Sequence, residues 1–293
     1  MPLWTALSQH ITDATGVPFQ ARRRRSVGGG CINHAYVAED GRQRYFVKTN
    51  TLDKAAMFAA EAAGLQAILA GRTLRAPQPI CHGVADGRAY LVLEFIAMEN
   101  GGGHSAALLG EQLAAMHRVT ASRYGWEIDN AIGATPQINT WRDDWIRFYG
   151  EHRLRFQLDL AARNGYPIQA KGEKLIDRLP SFFTSYQAQP ALLHGDLWGG
   201  NWGEDSQGKP VIFDPALYYG DREADLAMTE LFGGFPAPFY VAYAAAHPLD
   251  AGYATRKDLY NLYHILNHFN LFGGGYGGQA ARMIDRLLAE LQG

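Results

Sequence analysis

His194-Gly195-Asp196-Leu197-Trp198-Gly199-Gly200-Asn201 is the stretch that decides how the rest of this chain reads. The carboxylate of Asp196 is followed five residues later by the carboxamide of Asn201, in the spacing H-x-D-L-x-x-x-N that phosphoryl transfer uses. In that arrangement the aspartate accepts the proton of an attacking hydroxyl and the asparagine holds a magnesium ion. Downstream, Val211-Ile212-Phe213-Asp214 reads as an apolar strand ending in a carboxylate, where a second metal ligand belongs. Gly203, Asp205, Gly208 and Pro210 make a turn-rich link between the two. Two carboxylates and an amide are hard oxygen donors, the type magnesium prefers.

Working outward, the 293 residues suit a two-lobed enzyme better than a single small domain. A hydrophobic content of 47% with 19% charged residues describes a globular chain able to bury a large core. The net charge of -2 gives no sign of a nucleic-acid or membrane partner. Arg22-Arg23-Arg24-Arg25 is a local exception, read as a solvated segment leading into a first strand. Two cysteines, Cys31 and Cys81, do not make a disulfide framework, so a reducing cytoplasm is expected. The N-terminus has neither the basic start nor the apolar core of a signal peptide, and no stretch is apolar enough to span a membrane.

Residues 3 to 14 predict a helix, and the stretch from Arg24 to Asn50 predicts strands around the turn Asp40-Gly41. Asp53 to Ala70 favours helix, while Ile80 to Gly83 and Ala89 to Phe95 read as further strands. Glycine then dominates from Met98 to Gly103, which predicts a flexible connection. Beyond it Leu108 to Val119, Trp141 to Ala162 and Leu175 to Tyr186 carry apolar residues at helical spacing. The expected fold is therefore α+β and two-lobed in the manner of protein kinases. A small antiparallel-sheet lobe spans 1–96, a larger mainly helical lobe spans 97–293, and the nucleotide lies between them.

On the nucleotide side, Gly28-Gly29-Gly30 can bring backbone close to phosphate oxygens. Lys48 ends an apolar strand, where it would contact the α and β phosphates of ATP. Glu61, set among alanines, is the expected partner orienting Lys48, with Asp53 and Glu39 as competitors. Glu94, Phe95 and Ile96 precede the glycine-rich connection and are assigned to the adenine by position. His194 is expected to brace the loop rather than act as a base, and Asp225 to cap a helix or tie the loop down. Trp198 offers an apolar face for a sugar ring or a lysine stem. Cys31, directly after the glycines, is a candidate redox-sensitive thiol.

The segments GGGCINHAYVAEDGRQRYFVKTN, AEAAGLQAI, LVLEFI, HGDLWGGN, FDPALYYGDREADLAM and LYHILNHFNLFGGGY resemble the fructosamine kinase family of ketosamine 3-kinases. That family is a branch of the protein-kinase-like superfamily that also contains aminoglycoside and choline kinases. The resemblance covers nearly the whole chain. Trp198 and the Asp214-Pro215-Ala216 triplet, which stands in place of Asp-Phe-Gly, are its most discriminating details. It implies Mg2+- and ATP-dependent phosphorylation of the third hydroxyl of ribulosamines, erythrulosamines or fructosamines, free or on glycated protein lysines. The phosphorylated adduct then leaves spontaneously, which amounts to deglycation. The resemblance also brings His268 toward the acceptor. Monomer and dimer both remain open. An aminoglycoside- or choline-type small-molecule kinase is the alternative, because Asp221, Glu223, Asp225 and Glu230 could line a site for a polycation.

Overall fold

The computed structural model describes residues 1–28 and 32–291. A first helix, α1 (Leu3–Thr15), is followed by strands β1 (Arg23–Val27), β2 (His34–Glu39) and β3 (Arg44–Thr51), then by helix α2 (Ala55–Ala70). Strands β4 (Pro79–Ala85) and β5 (Arg88–Glu94) complete an antiparallel five-stranded sheet in the order β1-β2-β3-β5-β4. One sheet face packs on α1: Leu7, Ile11 and Phe19 meet Ala38, Tyr45, Val47, Tyr90 and Val92. Side chains alternate along β3, so Lys48 emerges opposite this layer, in register with Ala35 and Leu91. Leu91 and Leu93 share a core with Phe58 and Leu65 of α2, which fixes the helix beside Lys48.

The arginine run is not a lead-in segment, since Arg23, Arg24 and Arg25 lie within β1, all exposed on the edge of the sheet. Charged side chains there blunt the unpaired edge against association with another strand.

The glycine-rich connection is also more ordered than expected. It contains β6 (Met98–Glu99), and helix α3 (Gly103–Met116) starts directly after it. After the hairpin strands β7 (Asn130–Ile132) and β8 (Thr135–Gln137), the region expected to be one helix from Trp141 is three pieces. Asp144 caps α4 (Trp145–Tyr149) by accepting the Arg147 N–H at 2.7 Å. A π-helical turn over Gly150–Arg155 follows, then α5 (Phe156–Arg163). The segment expected as a helix to Tyr186 is α6 (Gln169–Asp177) with a 3-10 turn over Leu179–Phe183. Pro180 in that turn has no N–H to continue an α-helix.

Strands β9 (Ala191–Leu193), β10 (Trp202–Asp205), β11 (Pro210–Ile212) and β12 (Tyr218–Gly220) frame the catalytic-loop region. β10 pairs with β11 and, on its other side, with β6, so the connection is stitched to the helical lobe. Gly102 N–H donates to Glu204 at 3.1 Å and reinforces the join. Helices α7 (Glu223–Leu231), α8 (Ala237–Ala246), α9 (Tyr253–Phe272) and α10 (Tyr276–Glu290) complete the chain. Among the described residues no helix is long and apolar enough to cross a membrane.

Helix α3 lies directly on α8, and a Cβ at Gly110 would come within 2.3 Å of the Phe239 carbonyl oxygen. That backbone contact cannot yield the way a side chain can. Gly110→Ala is therefore expected to destabilise the fold by about 1–3 kcal/mol, the usual cost of overpacking. Urea melts of the two proteins check this, and an unchanged midpoint would mean that the helices separate freely.

Candidate active site

The loop His194–Asn201 is held from beneath. Asp225, in the first turn of α7, accepts the His194 N–H at 2.7 Å and the Gly195 N–H at 2.8 Å. On its other side Asp225 meets His117 Nε2 at 3.2 Å, and His117 Nδ1 meets the Tyr243 hydroxyl at 2.8 Å. Burial alone would raise the Asp225 pKa, but His117 and the loop amides outweigh it and the carboxyl lies below its ordinary value. Gly195 adopts φ +82°, and a Cβ there would strike the Ala216 carbonyl oxygen at 2.1 Å, so this position takes only glycine.

His194 is closed to proton chemistry by its partners. Nε2 lies 2.9 Å from the Phe213 carbonyl, to which it donates, and Nδ1 accepts the Asp196 N–H at 3.2 Å. Burial lowers its pKa and keeps it neutral. It braces the loop against the strand leading to Asp214.

Asp196 is left with little protein company. Asn201 Nδ2 donates to its backbone oxygen at 2.9 Å and to Oδ2 at 3.3 Å. Burial, and then repulsion from Asp214, push the Asp196 pKa well above the ordinary carboxylate value. The Asn201 amide donates inward, which leaves its Oδ1 without a protein partner among the described residues.

Lys48 stands across from the loop and donates to Glu61 at 2.6 Å and to Asp214 at 2.6 Å. Burial would lower its pKa, yet the two carboxylates outweigh that and raise it, so the ammonium stays charged. The competing partners are engaged elsewhere, Asp53 with Lys54 and Glu39 with Arg23. Asp214 has φ +57°, a left-handed conformation that an aspartate tolerates better than most residues. Asp214 Oδ1 takes Lys48 while the side chain remains 46% exposed, so the carboxylate still faces the cleft.

Among the described residues no three His, Cys, Asp or Glu side chains gather to bind an ion by themselves. Magnesium commonly binds through one or two carboxylates together with substrate phosphates. Asp214 and the free Asn201 oxygen are donors of the right kind.

The glycine loop is represented here by Gly28, whose surroundings are open; Gly29, Gly30 and Cys31 lie outside the described residues. Its far root is fixed by Asn50, whose Nδ2 donates to the Ile32 oxygen at 3.0 Å and to Asn33 Oδ1 at 2.7 Å. Sequence reasoning missed Asn50, and nothing local marks it. Cys81 lies on β4, its thiol pKa pushed up to about 12 by burial.

Of the three residues assigned to the adenine, Glu94 differs from the other two. Its N–H donates to the Gln78 oxygen at 2.8 Å, and its carboxylate takes Arg75 at 2.6 Å. Phe95 and Ile96 have no backbone partner among the described residues, so their amides and carbonyls are available. Arg44 lies over the Phe95 ring at 4.7 Å. A cleft of about 640 Å³ opens beside this segment, lined by Met98, Glu99, Asn100, Gly199, Gly200 and Phe213 among others.

Trp198 and His268 come together through a residue the sequence did not single out. Phe232 meets the Trp198 ring edge-on at 6.3 Å and the His268 ring at 4.6 Å. Trp198 is 39% exposed, so it forms a wall and not a buried wedge. His268 Nδ1 lies 2.8 Å from the His264 oxygen, and its ring also meets Tyr276 at 5.3 Å.

The acidic cluster offered for a polycation is not a surface. Asp221 is buried and accepts from Tyr186 at 2.8 Å and Tyr260 at 2.5 Å. Glu223 is buried in a two-pronged pair with Arg256, at 2.7 and 3.0 Å. Asp225 is committed to the loop, and Glu230 binds Lys257 and the Tyr253 hydroxyl. None of the four is left to line an acceptor pocket.

Comparison with known proteins gives the chain its family. The family model for fructosamine kinase matches residues 3–290. The chain belongs to the fructosamine kinase family. It is 51% identical over 288 residues to a protein of Synechocystis named as a ketoamine kinase, covering 97% of each chain. It is 47% identical to the chloroplastic protein-ribulosamine 3-kinase of Arabidopsis thaliana, over 94% of this chain and 86% of that protein. A crystal structure described as a fructosamine-3-kinase from Haemophilus somnus superposes with a TM-score of 0.90 at 27% identity, covering 97% of both chains. An aminoglycoside phosphotransferase superposes with a TM-score of 0.59 at 15% identity, covering 97% of this chain and 98% of that one, which shows the kinase-like fold. As a member of this family the protein is a kinase, with a small antiparallel sheet set against a helical portion.

His264 gives this region a pH signature. It is buried on α9 with Nδ1 unpartnered, and burial lowers its pKa to about 3 from 6.5. The unfolded chain therefore binds a proton that the folded one refuses, so stability present above pH 6.5 is lost as pH falls toward 3. By about pH 5.5 the loss from this residue is on the order of 1 kcal/mol. His264→Leu should flatten the fall in Tm between about pH 7.5 and 5.5. Parallel slopes in variant and wild type would show that the imidazole is solvated.

Proposed function

We propose that this protein transfers the γ-phosphoryl group of ATP to the 3-hydroxyl of a ketosamine, with Asp196 as the base and Mg2+ held by Asn201 and Asp214. The observation that carries this is the convergence, on one cleft, of the Asp196 carboxylate, an Asn201 oxygen without a protein partner among the described residues, and Lys48 bridging Glu61 and Asp214. Asp196 orients the sugar hydroxyl by accepting its hydrogen bond and takes its proton late in the transfer, as the new P–O bond forms. Lys48 carries three protons, of which two go to carboxylates, and the third is directed to the phosphates. Glu61 keeps the lysine on station. When bound, the metal offsets phosphate charge that otherwise repels the nucleophile.

The adenine is assigned to the backbone of Phe95 and Ile96, with Glu94 acting only through its ties to Gln78 and Arg75. On that assignment we take the boundary between the lobes to fall between residues 96 and 97. Gly28, at the start of the glycine stretch, is assigned to the phosphate side of the cleft. Trp198, with Phe232 and His268 behind it, is the wall for the ketose and the amine it is attached to. The substrates would be ribulosamines, erythrulosamines or fructosamines, free or on protein lysines, and loss of the phosphorylated sugar would return the lysine. The reaction needs no membrane or nucleic acid and is assigned to the cytoplasm.

ATP consumption measured side by side with a ribulosamine, an aminoglycoside and choline tests the acceptor class. Turnover is expected with the ribulosamine, and turnover confined to either of the others would sink the proposal. Asp196→Asn should lower turnover by about two to four orders of magnitude while nucleotide binding survives. A variant that kept wild-type rates would remove Asp196 from the base role. Asp214→Ala should weaken MgATP binding in calorimetry, and an unchanged affinity would move the metal elsewhere.

A further inference from the structure

Arg153 is fully buried, yet no carboxylate is among its hydrogen-bond partners. Its guanidinium donates to the Ile138 oxygen at 2.6 Å, to Asn139 Oδ1 at 2.7 Å and to the His152 oxygen at 3.2 Å. It lies over the rings of Tyr218 at 4.1 Å and Phe148 at 4.7 Å. It projects from the π-helical turn Gly150–Arg155, a geometry that is rare and concentrates at functional positions. A cation buried without a counter-charge is costly, and an apolar residue would fill the same volume more cheaply. Something must therefore depend on its fork of donors.

What depends on it is the backbone just after Asp214. Asn139, fixed by Arg153, donates to Asn130 Oδ1 at 3.1 Å. Asn130 in turn donates to the Leu217 oxygen at 2.8 Å. Gln137 donates to Asn130 Oδ1 at 2.8 Å and to the Ala216 oxygen at 3.0 Å, and accepts the Tyr263 hydroxyl at 2.8 Å. The β7–β8 hairpin is thus a strap across Ala216 and Leu217, while Arg153 stacks directly on Tyr218, the next residue. At the hairpin tip a Cβ on Gly133 would sit 3.1 Å from Leu271 Cδ1 and 3.3 Å from Ile32 Cδ1. The strap therefore spans from the root of the glycine loop to the end of α9.

We propose that Arg153 and Gln137 are positioning residues for phosphoryl transfer. Through the β7–β8 strap they lock the Ala216–Tyr218 backbone and hold Asp214 in the left-handed conformation that aims its carboxylate into the cleft. The proposal rests on Asp214 being a metal ligand, as assigned above. Neither residue touches a reacting atom. Their effect is on how well a ligand carboxylate is presented, and supporting residues of that kind typically change metal affinity about 10- to 100-fold.

Two variants test this. Arg153→Lys keeps the charge and loses the planar fork, and Gln137→Met keeps the volume and loses the hydrogen bonds. In both, MgATP affinity by calorimetry should fall by about tenfold or more. The Mg2+ concentration that half-saturates turnover should rise in step, with the acceptor KM nearly unchanged. A role confined to stability would lower Tm and leave the metal dependence alone, and that result in both variants would overturn the proposal. If Arg153→Lys does not fold, Gln137→Met decides alone. Asp214→Ala is the reference: unchanged MgATP affinity there defeats the metal assignment itself. Loss there with retention in the two strap variants defeats the positioning role only.

Discussion

The buried ammonium of Lys48 is the interaction on which the rest of the site depends. It sits at 5% exposure on the cleft side of the sheet, where a lone charge could not persist. Two carboxylates compensate it, and they come from different parts of the chain: Glu61 from α2 and Asp214 from the turn after β11. Satisfying one charge therefore fixes the sheet, the helix and the metal-side turn relative to one another. The small-residue face of α2 completes the fit. A Cβ on Gly64 would rest 3.5 Å from Pro215 and 3.4 Å from Leu217, ordinary contact distances, so helix and turn pack without strain.

The second constraint is the way the catalytic loop is supported. An eight-residue loop with three glycines would be loose if left in solvent. Asp225 removes that freedom by accepting two successive loop amides, and His117 together with those amides offsets the burial of its carboxylate, with Tyr243 holding the His117 ring. His194 and Ala216 N–H then join the loop to the strand carrying Asp214, the latter by a 2.9 Å bond to the His194 oxygen. The loop is thus held from two sides. On the side proposed for the acceptor, the rings of Trp198, Phe232 and His268 come together, and their apolar faces would suit the C–H surfaces of a sugar.

The same accounting separates the two kinds of small-molecule kinase. A site for a polycation needs carboxylates free to meet it. In this chain Asp221, Glu223 and Asp225 are spent on the interior, with Arg256, two tyrosine hydroxyls and the loop backbone, while the half-buried Glu230 is paired with Lys257. Their density in sequence is the signature of a buried polar network, which requires every member to be satisfied.

The short-range features were legible in the sequence because local chemistry dictates them. The spacing of Asp196, Asn201 and Asp214, the strand that carries Lys48 and the helix that supplies Glu61 need only periodicity and residue type, although that strand runs on to Thr51 and Lys48 lies within it, not at its end. The order of strands and helices in the first ninety or so residues followed from alternation and turn residues. What failed was also local in cause. The helix from Trp141 was read as continuous because apolar spacing does not reveal a π turn, and the connection after Ile96 was read as flexible because its partner, β10, lies a hundred residues away. Only the tertiary structure decided which acids are buried, that Asp214 shares Lys48 with Glu61, that Phe232 joins Trp198 to His268, and that Arg153 is buried without a carboxylate partner. Each of these is a matter of which distant groups exclude water together, and burial sets both the strength of a charge pair and the cost of an unpaired one.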